Sequence, residues 1–478
     1  MFPRRSLKSL AAPHVPFLVV LAVCTTIFAW MISYGTFRLV AEDEFGSFYD
    51  HQAASLLRLR WDVPEPSLSG EAFVVEGKVY GYFGPTPALM RLPFALFGAG
   101  VGKLTRLYMV VDYVAALVAV YVLLVWAVRR RESTKAQPRK WQTLLLILPV
   151  GLGSTLFFLG SRAYVYHEAI LCGLAFALWS MVCALRALDA PASRWWVGSL
   201  LCGILSVHAR APVGLFALCF LGAVALVFVV RREPPHFLRY FKIGVGCVLG
   251  ILSFNAVSYL KFGTWEGCPL RLNVQYTPQK LAEIDGKNFH LANLRFNSAT
   301  YLFQPSFALR SSFPYFYLEF INRKLYPESK ITYRDATLAL PWSMPALCFL
   351  AAVGGLAAGY YRLSLRLPLA LVGLAAVPAA LAMLTAVAVT QRYTADFLPP
   401  LIGFATLGVA GLSHLTRGLR LAALSVAGAF TLLSLGITGA ITLHHQRAIV
   451  WGVPEEARNE YALWRVRIDG PNRPATRD

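Results

Sequence analysis

The chain has 478 residues, of which 57% are hydrophobic and only 15% are charged, and its mean hydropathy is +0.54. An ordinary soluble domain carries about a quarter charged residues, so this composition excludes a soluble enzyme. The formal net charge of +20 would suggest a nucleic-acid partner in a soluble chain. In a membrane chain it indicates the position of the cytoplasmic loops, because those loops collect Lys and Arg.

Apolar runs of about 20 residues, long enough to cross a bilayer, recur along the chain. We predict eleven spans, over residues 15–37, 107–128, 141–159, 169–185, 195–208, 213–230, 241–260, 340–360, 367–389, 397–415 and 419–443. The apolar stretch 82–100 contains Pro85, Pro87 and Pro93, which break a helix. We therefore predict a bent helix there, lying at the interface or re-entering the membrane. The fold class is an all-α polytopic membrane protein with one large outer loop.

The distribution of charge tests this layout. Counting 82–100 as a twelfth span would put the basic run 129–140 outside the cytoplasm, against the positive-inside rule. With it left out, the cytoplasmic segments hold 19 of the 45 basic residues but only three of the 25 acidic ones. The excess positive charge thus fixes orientation and implies no nucleic acid. We expect a multi-pass protein of the inner (plasma) membrane, with a cytoplasmic N-terminus and an extracytoplasmic C-terminus.

Three segments then lie outside the cytoplasm: a first outer loop (38–106), a large outer loop (261–339) and a tail (444–478). They divide the chain into an N-terminal transmembrane module (1–260), the large loop, the C-terminal transmembrane helices (340–443) and the tail. The eight cysteines have no metal-ligand spacing. We predict no cofactor, with a divalent metal at His167 and Glu168 as an alternative that we do not adopt.

An acidic cluster follows the first span directly, with Glu42, Asp43, Glu44 and Asp50 within nine residues. Crowded carboxylates repel one another and raise each other's pKa, which is how sites obtain a general base near neutral pH. The cluster is therefore a candidate catalytic site. The alternative is that acids simply flank the outer end of an anchor helix.

Later elements of the first loop carry a family resemblance. A helix-like stretch (52–60), a Pro-containing loop and Gly77-Lys78 with Tyr82 follow the acids. This order resembles the first extracytoplasmic loop of GT-C superfamily glycosyltransferases, such as protein O-mannosyltransferases and lipid A aminoarabinose transferases. Their Asp-Glu pair beyond the first span is matched by Asp43-Glu44. The segments 48–50, 71–73 and 82–89 are also similar to an uncharacterised group of bacterial membrane proteins that is placed beside those transferases.

Two turns beyond the first loop extend this resemblance. Ser161-Arg162, followed by His167 and Glu168, matches a Ser-Arg turn with a later acid, and Arg392-Tyr393 matches an Arg-Tyr pair near the end of GT-C chains. An Arg at such a position can hold a phosphate through two hydrogen bonds. The alternatives are an Arg162–Glu168 salt bridge at the interface and an arginine that only extends toward the headgroups.

The resemblance implies an inverting glycosyltransferase that moves a sugar from a polyprenyl-phosphate donor in the bilayer to an extracytoplasmic acceptor. Asp43 would be the general base, and Glu44 or Asp50 would orient the acceptor. The implied substrate-binding residues are Lys78, Tyr82, Arg162, His167, Glu168, Arg210, Arg295, Arg392 and Tyr393. One alternative is a secondary transporter or lipid flippase, although most ionisable residues lie at span mouths and Asp112 is the main exception. Another is a non-catalytic protein of envelope assembly.

Overall fold

The structure is a computed structural model that describes residues 14–231, 237–360, 363–447 and 453–470. Most of these residues are helical. In chain order the helices are α1 (Val15–Ile32), α2 (Phe48–Leu56), α3 (Thr86–Leu96), α4 (Thr105–Arg131), α5 (Lys140–Gly151), α6 (Thr155–Phe158), α7 (Val165–Asp189), α8 (Ser193–Val207), α9 (Ala211–Val230), α10 (Phe237–Phe262), α11 (Pro278–Glu283), α12 (Asn293–Ser298), α13 (Leu340–Ser343), α14 (Pro345–Tyr360), α15 (Leu363–Thr385), α16 (Leu398–Leu412), α17 (Arg417–Arg447) and α18 (Glu455–Asp469).

A polytopic helical membrane protein is confirmed. Among the described residues, eight helices are long and apolar enough to cross a membrane, and a ninth span results if α5 and the 155–161 segment, which meet at a bend of 43°, count as one. Each of the eleven predicted spans coincides with a helix or a bent pair. However, α8 has only 15 residues, or about 22 Å of helix, less than the ~30 Å of a bilayer core. The number eleven therefore stays a prediction.

The spans pack closely where small residues face each other. A Cβ on Gly354 of α14 would lie 2.1 Å from the carbonyl oxygen of Phe404, and one on Gly408 of α16 would lie 2.0 Å from that of Leu350. Both distances are far below van der Waals contact, so the two backbones touch at this crossing. Small residues at helix crossings are the usual way for membrane helices to gain packing energy without a hydrophobic driving force.

The segment between α1 and α4, here called the first loop (33–104), is folded. It contains α2, a hairpin of β1 (Phe73–Val75) and β2 (Lys78–Tyr80), and α3. The eleven-residue α3 lies within the stretch 82–100 and is too short to be a span, and its bend and its position at the interface or within the membrane stay predictions. Its start is fixed by Gly84, whose Cβ would lie 2.0 Å from the carbonyl oxygen of His208. Only glycine allows the chain to approach the end of α8 this closely.

The segment between α10 and α13, here called the large loop (263–339), is tied to its neighbours by short strands. β3 (Phe307–Leu309) pairs with β4 (Phe316–Leu318), and β5 (Tyr333–Arg334) pairs in parallel with β6 (Ala388–Val389) beyond α15. An isolated bridge joins Phe73 of the first loop to Asn273. The two loops and the turn after α15 therefore form one layer.

The C-terminal helix α18 joins this layer. The backbone N–H of Phe313 donates to both carboxylate oxygens of Asp469, at 3.1 and 2.9 Å. The indole ring of Trp464 stacks on that of Trp30 in α1, with centroids 6.0 Å apart. The segments that the charge pattern assigns to one side of the membrane thus meet at one end of the helices, here called the loop end. The side of the membrane that this end faces stays a prediction.

Candidate functional site

Asp43 lies at the loop end in a closed ion pair. Arg106, at the start of α4, donates from Nε to Oδ2 at 2.7 Å and from Nη2 to Oδ1 at 2.6 Å. The Asp43 side chain is only 2% exposed. Burial raises the pKa of Asp43, and the hydrogen bonds and charge of Arg106 oppose that rise. Each oxygen accepts a hydrogen bond from Arg106, and these bonds stabilise the charged form of Asp43.

Asp50 belongs to a second closed cluster, centred on Arg91 of α3. The Arg91 guanidinium binds Asp50 through Nε at 2.5 Å and contacts Glu168 of α7 through Nη2, and all three side chains are at most 1% exposed. The backbone N–H of Leu104 donates to the other Asp50 oxygen at 3.1 Å. Buried charges are tolerated only when they are paired in this way. The cluster therefore fixes α3 between α2 and α7.

These contacts answer one alternative left open by the sequence. Glu168 pairs with Arg91, so an Arg162–Glu168 salt bridge is not the arrangement of these side chains. The third acid of the predicted catalytic set, Glu44, is exposed in the first loop. Sequence reasoning missed Arg91 and Arg106 as the partners of the acids. The signal that could have found Arg91 is its place in an apolar stretch, where a charge requires a partner.

A different arrangement surrounds Arg392, which follows β6. Its guanidinium carbon lies 4.7 Å from the centroid of the Tyr166 ring. Its Nη1 is 3.8 Å from Oδ2 of Asp335, beyond hydrogen-bond distance. Its Nε is buried and has no hydrogen-bond partner among the described residues. A buried donor without a partner costs about 1–3 kcal/mol, and the Nε of Arg392 is such a donor.

Tyr164, just before α7, lies among several charged side chains. Its ring lies 5.1 Å from that of Tyr166. Burial raises the pKa of Tyr164 to about 12. The charged side chains that act on its hydroxyl are those of Arg392, Glu71, Arg162 and Asp335. We call these six residues, together with Tyr82 and Tyr393, the tyrosine–arginine cluster.

Arg162 and His167 line one flank of this cluster. Burial lowers the pKa of Arg162, and its Nη2 donates to the backbone carbonyl of His445 in α17 at 3.1 Å. The His167 ring is buried, makes a 3.0 Å hydrogen bond to the carbonyl of Leu159 and lies 6.0 Å from the His445 ring. The structure thus brings the 161–168 turn and the end of α17 to the same place.

Arg210 and Tyr393 line the other flank. Arg210 binds Asp396 through two hydrogen bonds of 2.9 and 2.6 Å, and its guanidinium lies 4.6 Å from the Tyr393 ring centroid. Tyr82 lies 6.2 Å from Tyr166, ring to ring. The turn that carries Tyr82 is held by Lys261 of α10, whose buried ammonium donates to the carbonyl of Phe83 at 2.5 Å and to that of Gly81 at 3.1 Å.

Two predicted residues lie away from the cluster. Lys78 is exposed in β2. The Arg295 side chain is 73% exposed in α12, where its Nη1 is 3.7 Å from Glu328. The sequence resemblance implies a substrate-binding role for both, but neither enters the site proposed below. The described residues contain no group of three or more His, Cys, Asp or Glu side chains arranged to hold a metal ion.

Comparison with known proteins gives similarities of fold. No family model and no curated protein matches the chain. The structure is similar to that of ArnT, an aminoarabinose transferase, from Cupriavidus metallidurans bound to undecaprenyl phosphate, with 11% identity and a TM-score of 0.48. That match covers 90% of this chain and 77% of the other.

Two structures from Archaeoglobus fulgidus are also similar. One is the oligosaccharyltransferase AglB with an inhibitory peptide and a dolichol-phosphate, at 14% identity and a TM-score of 0.45. The other is an oligosaccharyltransferase tethered to an acceptor peptide, at 14% identity and a TM-score of 0.47. The chain covers 58% of the length of each. At such values the likeness concerns the path of the helices, and the function has to be argued from the side chains.

Proposed function

We propose that the protein is an integral membrane glycosyltransferase that moves a sugar from a polyprenyl-phosphate donor to an extracytoplasmic acceptor. The proposal joins the resemblance of the first loop to GT-C transferases with the chemistry of the tyrosine–arginine cluster. The acceptor is a glycan, lipid or protein of the cell envelope. The donor is a hexosyl or pentosyl phosphate lipid.

The observation that carries the proposal is the state of Arg392. Its guanidinium is mostly buried, with the side chain 11% exposed, and its one carboxylate contact among the described residues, to Asp335, is 3.8 Å long. Its Nε has no hydrogen-bond partner among the described residues. A phosphate oxygen would supply the missing acceptor and a compensating charge, because guanidinium groups bind phosphate through paired hydrogen bonds. Arg162, which acts on the same Tyr164 hydroxyl, would share the charge of the departing phosphate.

An apolar cavity beside the cluster suits the lipid part of the donor. It has a volume of about 200 Å³ and lies between α13, α15 and α16. The lining residues are Leu340, Ala376, Ala379, Ala380, Asp396, Phe397, Pro400, Leu401 and Phe404. Asp396 also binds Arg210 at the cluster, so the apolar cavity and the polar site share an edge. We expect the isoprenyl units next to the phosphate to lie here.

The reaction needs a base that removes the proton of the acceptor hydroxyl as the lipid phosphate leaves. The sequence favours Asp43 as this base, and Glu44 or Asp50 as the group that orients the acceptor. Asp50 is committed to Arg91, and Asp43 to Arg106 through both oxygens. We therefore propose that Asp50 holds α3 in place, and that Asp43 holds the start of the first loop against α4.

A transfer assay tests the proposed function. The full chain, purified into lipid nanodiscs, is supplied with undecaprenyl phosphate carrying radiolabelled hexoses or pentoses and with envelope material from the host as acceptor. We expect label to move from the lipid to a lipid-free or acceptor fraction. The matched variants are Arg392→Gln in the cluster and Arg295→Gln on the surface. Transfer should fall in the first variant and be unchanged in the second.

The other outcomes select other functions. Movement of intact labelled lipid between leaflets without transfer would favour a flippase. Equal transfer by both arginine variants would remove Arg392 from the site. If no donor of either sugar class is consumed and undecaprenyl phosphate does not bind, the transferase proposal fails.

A further inference from the structure

Glu71 is a carboxylate of the tyrosine–arginine cluster to which neither the sequence nor the comparisons give a role. It ends a short 3₁₀ turn (Ser69–Glu71) just before β1. The phenolic O–H of Tyr166 donates to its Oε2. Within the described parts of the chain, no hydrogen bond reaches its second oxygen, Oε1. Glu71 therefore has one carboxylate oxygen that accepts no hydrogen bond from the described residues, whereas both oxygens of Asp43 and of Asp50 accept one.

The surroundings of Glu71 hold it firmly. The side-chain amide of Asn273 reaches its backbone carbonyl at 3.4 Å. The backbone N–H of Glu71 donates to the carbonyl of Leu68 at 2.9 Å. A Cβ on the preceding Gly70 would lie 2.6 Å from Nε2 of Gln275. The turn is thus packed between the hairpin and the large loop, which holds the backbone of Glu71, and the hydrogen bond from Tyr166 orients its carboxylate.

Tyr166 contacts both Glu71 and Arg392. The guanidinium lies over the face of the ring, 4.7 Å from its centroid, while the carboxylate binds the hydroxyl at its edge. The opposite charges therefore do not neutralise each other directly, unlike Asp43 and Arg106. The remaining carboxylate of the cluster, Asp335, is one-third exposed and lies on the side of Arg392.

We propose that Glu71 is the general base that deprotonates the acceptor hydroxyl, with Tyr166 orienting its carboxylate. This rests on the proposed function. The acceptor proton passes to Oε1 as the acceptor oxygen bonds to C1 of the sugar. The bond between C1 and the phosphate oxygen breaks, and its electron pair leaves with the lipid phosphate, whose charge is taken up at Arg392. Inversion requires that the acceptor oxygen attacks C1 on the face opposite to the departing phosphate, and Glu71 and Arg392 contact different parts of Tyr166, its hydroxyl and its ring face.

The test compares two glutamates of the first loop. Glu71→Gln removes the base. Glu76→Gln changes an exposed residue at the tip of the β1–β2 hairpin, which follows Glu71. General-base catalysis contributes about 10²–10⁴-fold, so we expect kcat for Glu71→Gln to fall at least ~100-fold. Binding of undecaprenyl phosphate should stay within about twofold, because the phosphate site is untouched. Glu76→Gln should behave as wild type.

Tyr166→Phe supplies a second reading. Losing one hydrogen bond to a charged group costs about 1.5–3 kcal/mol, or roughly a tenfold to hundredfold fall in kcat, so its effect should be smaller than that of Glu71→Gln. Binding of undecaprenyl phosphate by Tyr166→Phe should stay within about twofold of wild type, because the ring that contacts Arg392 is kept.

The outcomes separate the two proposals. If wild type transfers sugar and Glu71→Gln keeps its kcat within threefold, the base assignment is wrong and the transferase proposal stands. If Glu71→Gln loses lipid binding and thermal stability together, Glu71 is structural and the assignment is also wrong. If wild type transfers no sugar, both proposals fail.

Discussion

Two sets of arginines at the loop end differ in how they are satisfied. Arg91 and Arg106 are enclosed by carboxylates at 2.5–2.7 Å, whereas Arg392 has an aromatic face, a carboxylate at 3.8 Å and a buried Nε without a partner among the described residues. In a layer of low polarity an unsatisfied guanidinium is costly. The difference teaches that Asp43 and Asp50 serve the architecture of the first loop, and we propose that the positive charge of Arg392 is the place for an anion.

The largest expected effect is on stability, at the arginines that carboxylates enclose. These are Arg91 and Arg106, here called the closed set. Arg91→Met would leave Asp50 and Glu168 buried and unpaired, and breaking a buried pair costs about 3–5 kcal/mol. We expect a large fall in the thermal unfolding temperature, measured in detergent by the fluorescence of a thiol or tryptophan probe. The triple variant Asp50→Asn, Arg91→Met, Glu168→Gln should recover much of this loss, because no charge remains unpaired. An unchanged unfolding temperature for Arg91→Met would show that the cluster is not closed.

At Arg392, which carboxylates do not enclose, a substitution should change activity rather than stability. Arg392→Gln removes a donor to the departing phosphate, and loss of one such donor costs about 10²–10³-fold in kcat. The unfolding temperature should stay near that of wild type, because Arg392 is not part of a saturated pair. Arg392→Lys should keep a part of the activity, since an ammonium retains the charge and loses the paired hydrogen bonds. A stability loss as large as that of Arg91→Met would place Arg392 in the closed set.

Asp43→Asn gives a smaller effect that sharpens the comparison. Arg106 would lose one charge-assisted contact, so we expect about 1–3 kcal/mol of stability to be lost. Transfer should fall less than tenfold if Asp43 only holds the loop. Measured kcat decides the matter: a fall of about 10²–10⁴-fold with unchanged stability would be the behaviour of a general base and would favour the sequence interpretation of Asp43 over Glu71.

The smallest effects are expected on the exposed surface. Lys78→Ala and Arg295→Gln change side chains that lie outside the cluster. Exposed substitutions of this kind stay within about 0.5 kcal/mol. Transfer rates and unfolding temperatures should therefore match those of wild type. A loss of lipid binding in either variant would move the anion site from Arg392 to the loop surface.

Hydropathy and charge predict much of the fold, because each span is written in one continuous stretch of sequence. A short helix in the stretch 82–100 was also predictable, since Pro85, Pro87 and Pro93 lie in one continuous apolar segment. The ion pairs were not. Asp43 and Arg106 are 63 residues apart and Asp50 and Arg91 are 41 apart, and no local pattern reports which acid meets which arginine.

The site shows the same division. Arg162, Arg392 and Tyr393 could be named because they lie in turns at the mouths of spans, where polar residues attract notice. Glu71 could not be named, because its proposed role depends on contacts of Tyr166, 95 residues later. Tyr166 binds Glu71 through its hydroxyl and Arg392 through its ring. A tertiary contact decides which carboxylate has an oxygen free of hydrogen bonds from the described residues. The spacing of the acids along the sequence does not contain that information.

One measurement tests the central claim most directly. A cryo-EM map of the full chain in nanodiscs supplied with undecaprenyl phosphate should show the phosphate within hydrogen-bond distance of the Arg392 guanidinium, with the first isoprenyl units in the cavity beside Asp396. Arg392→Gln under the same conditions should lack that density. A phosphate seated on the loop surface at Lys78 or Arg295, with the tyrosine–arginine cluster unchanged, would contradict the account.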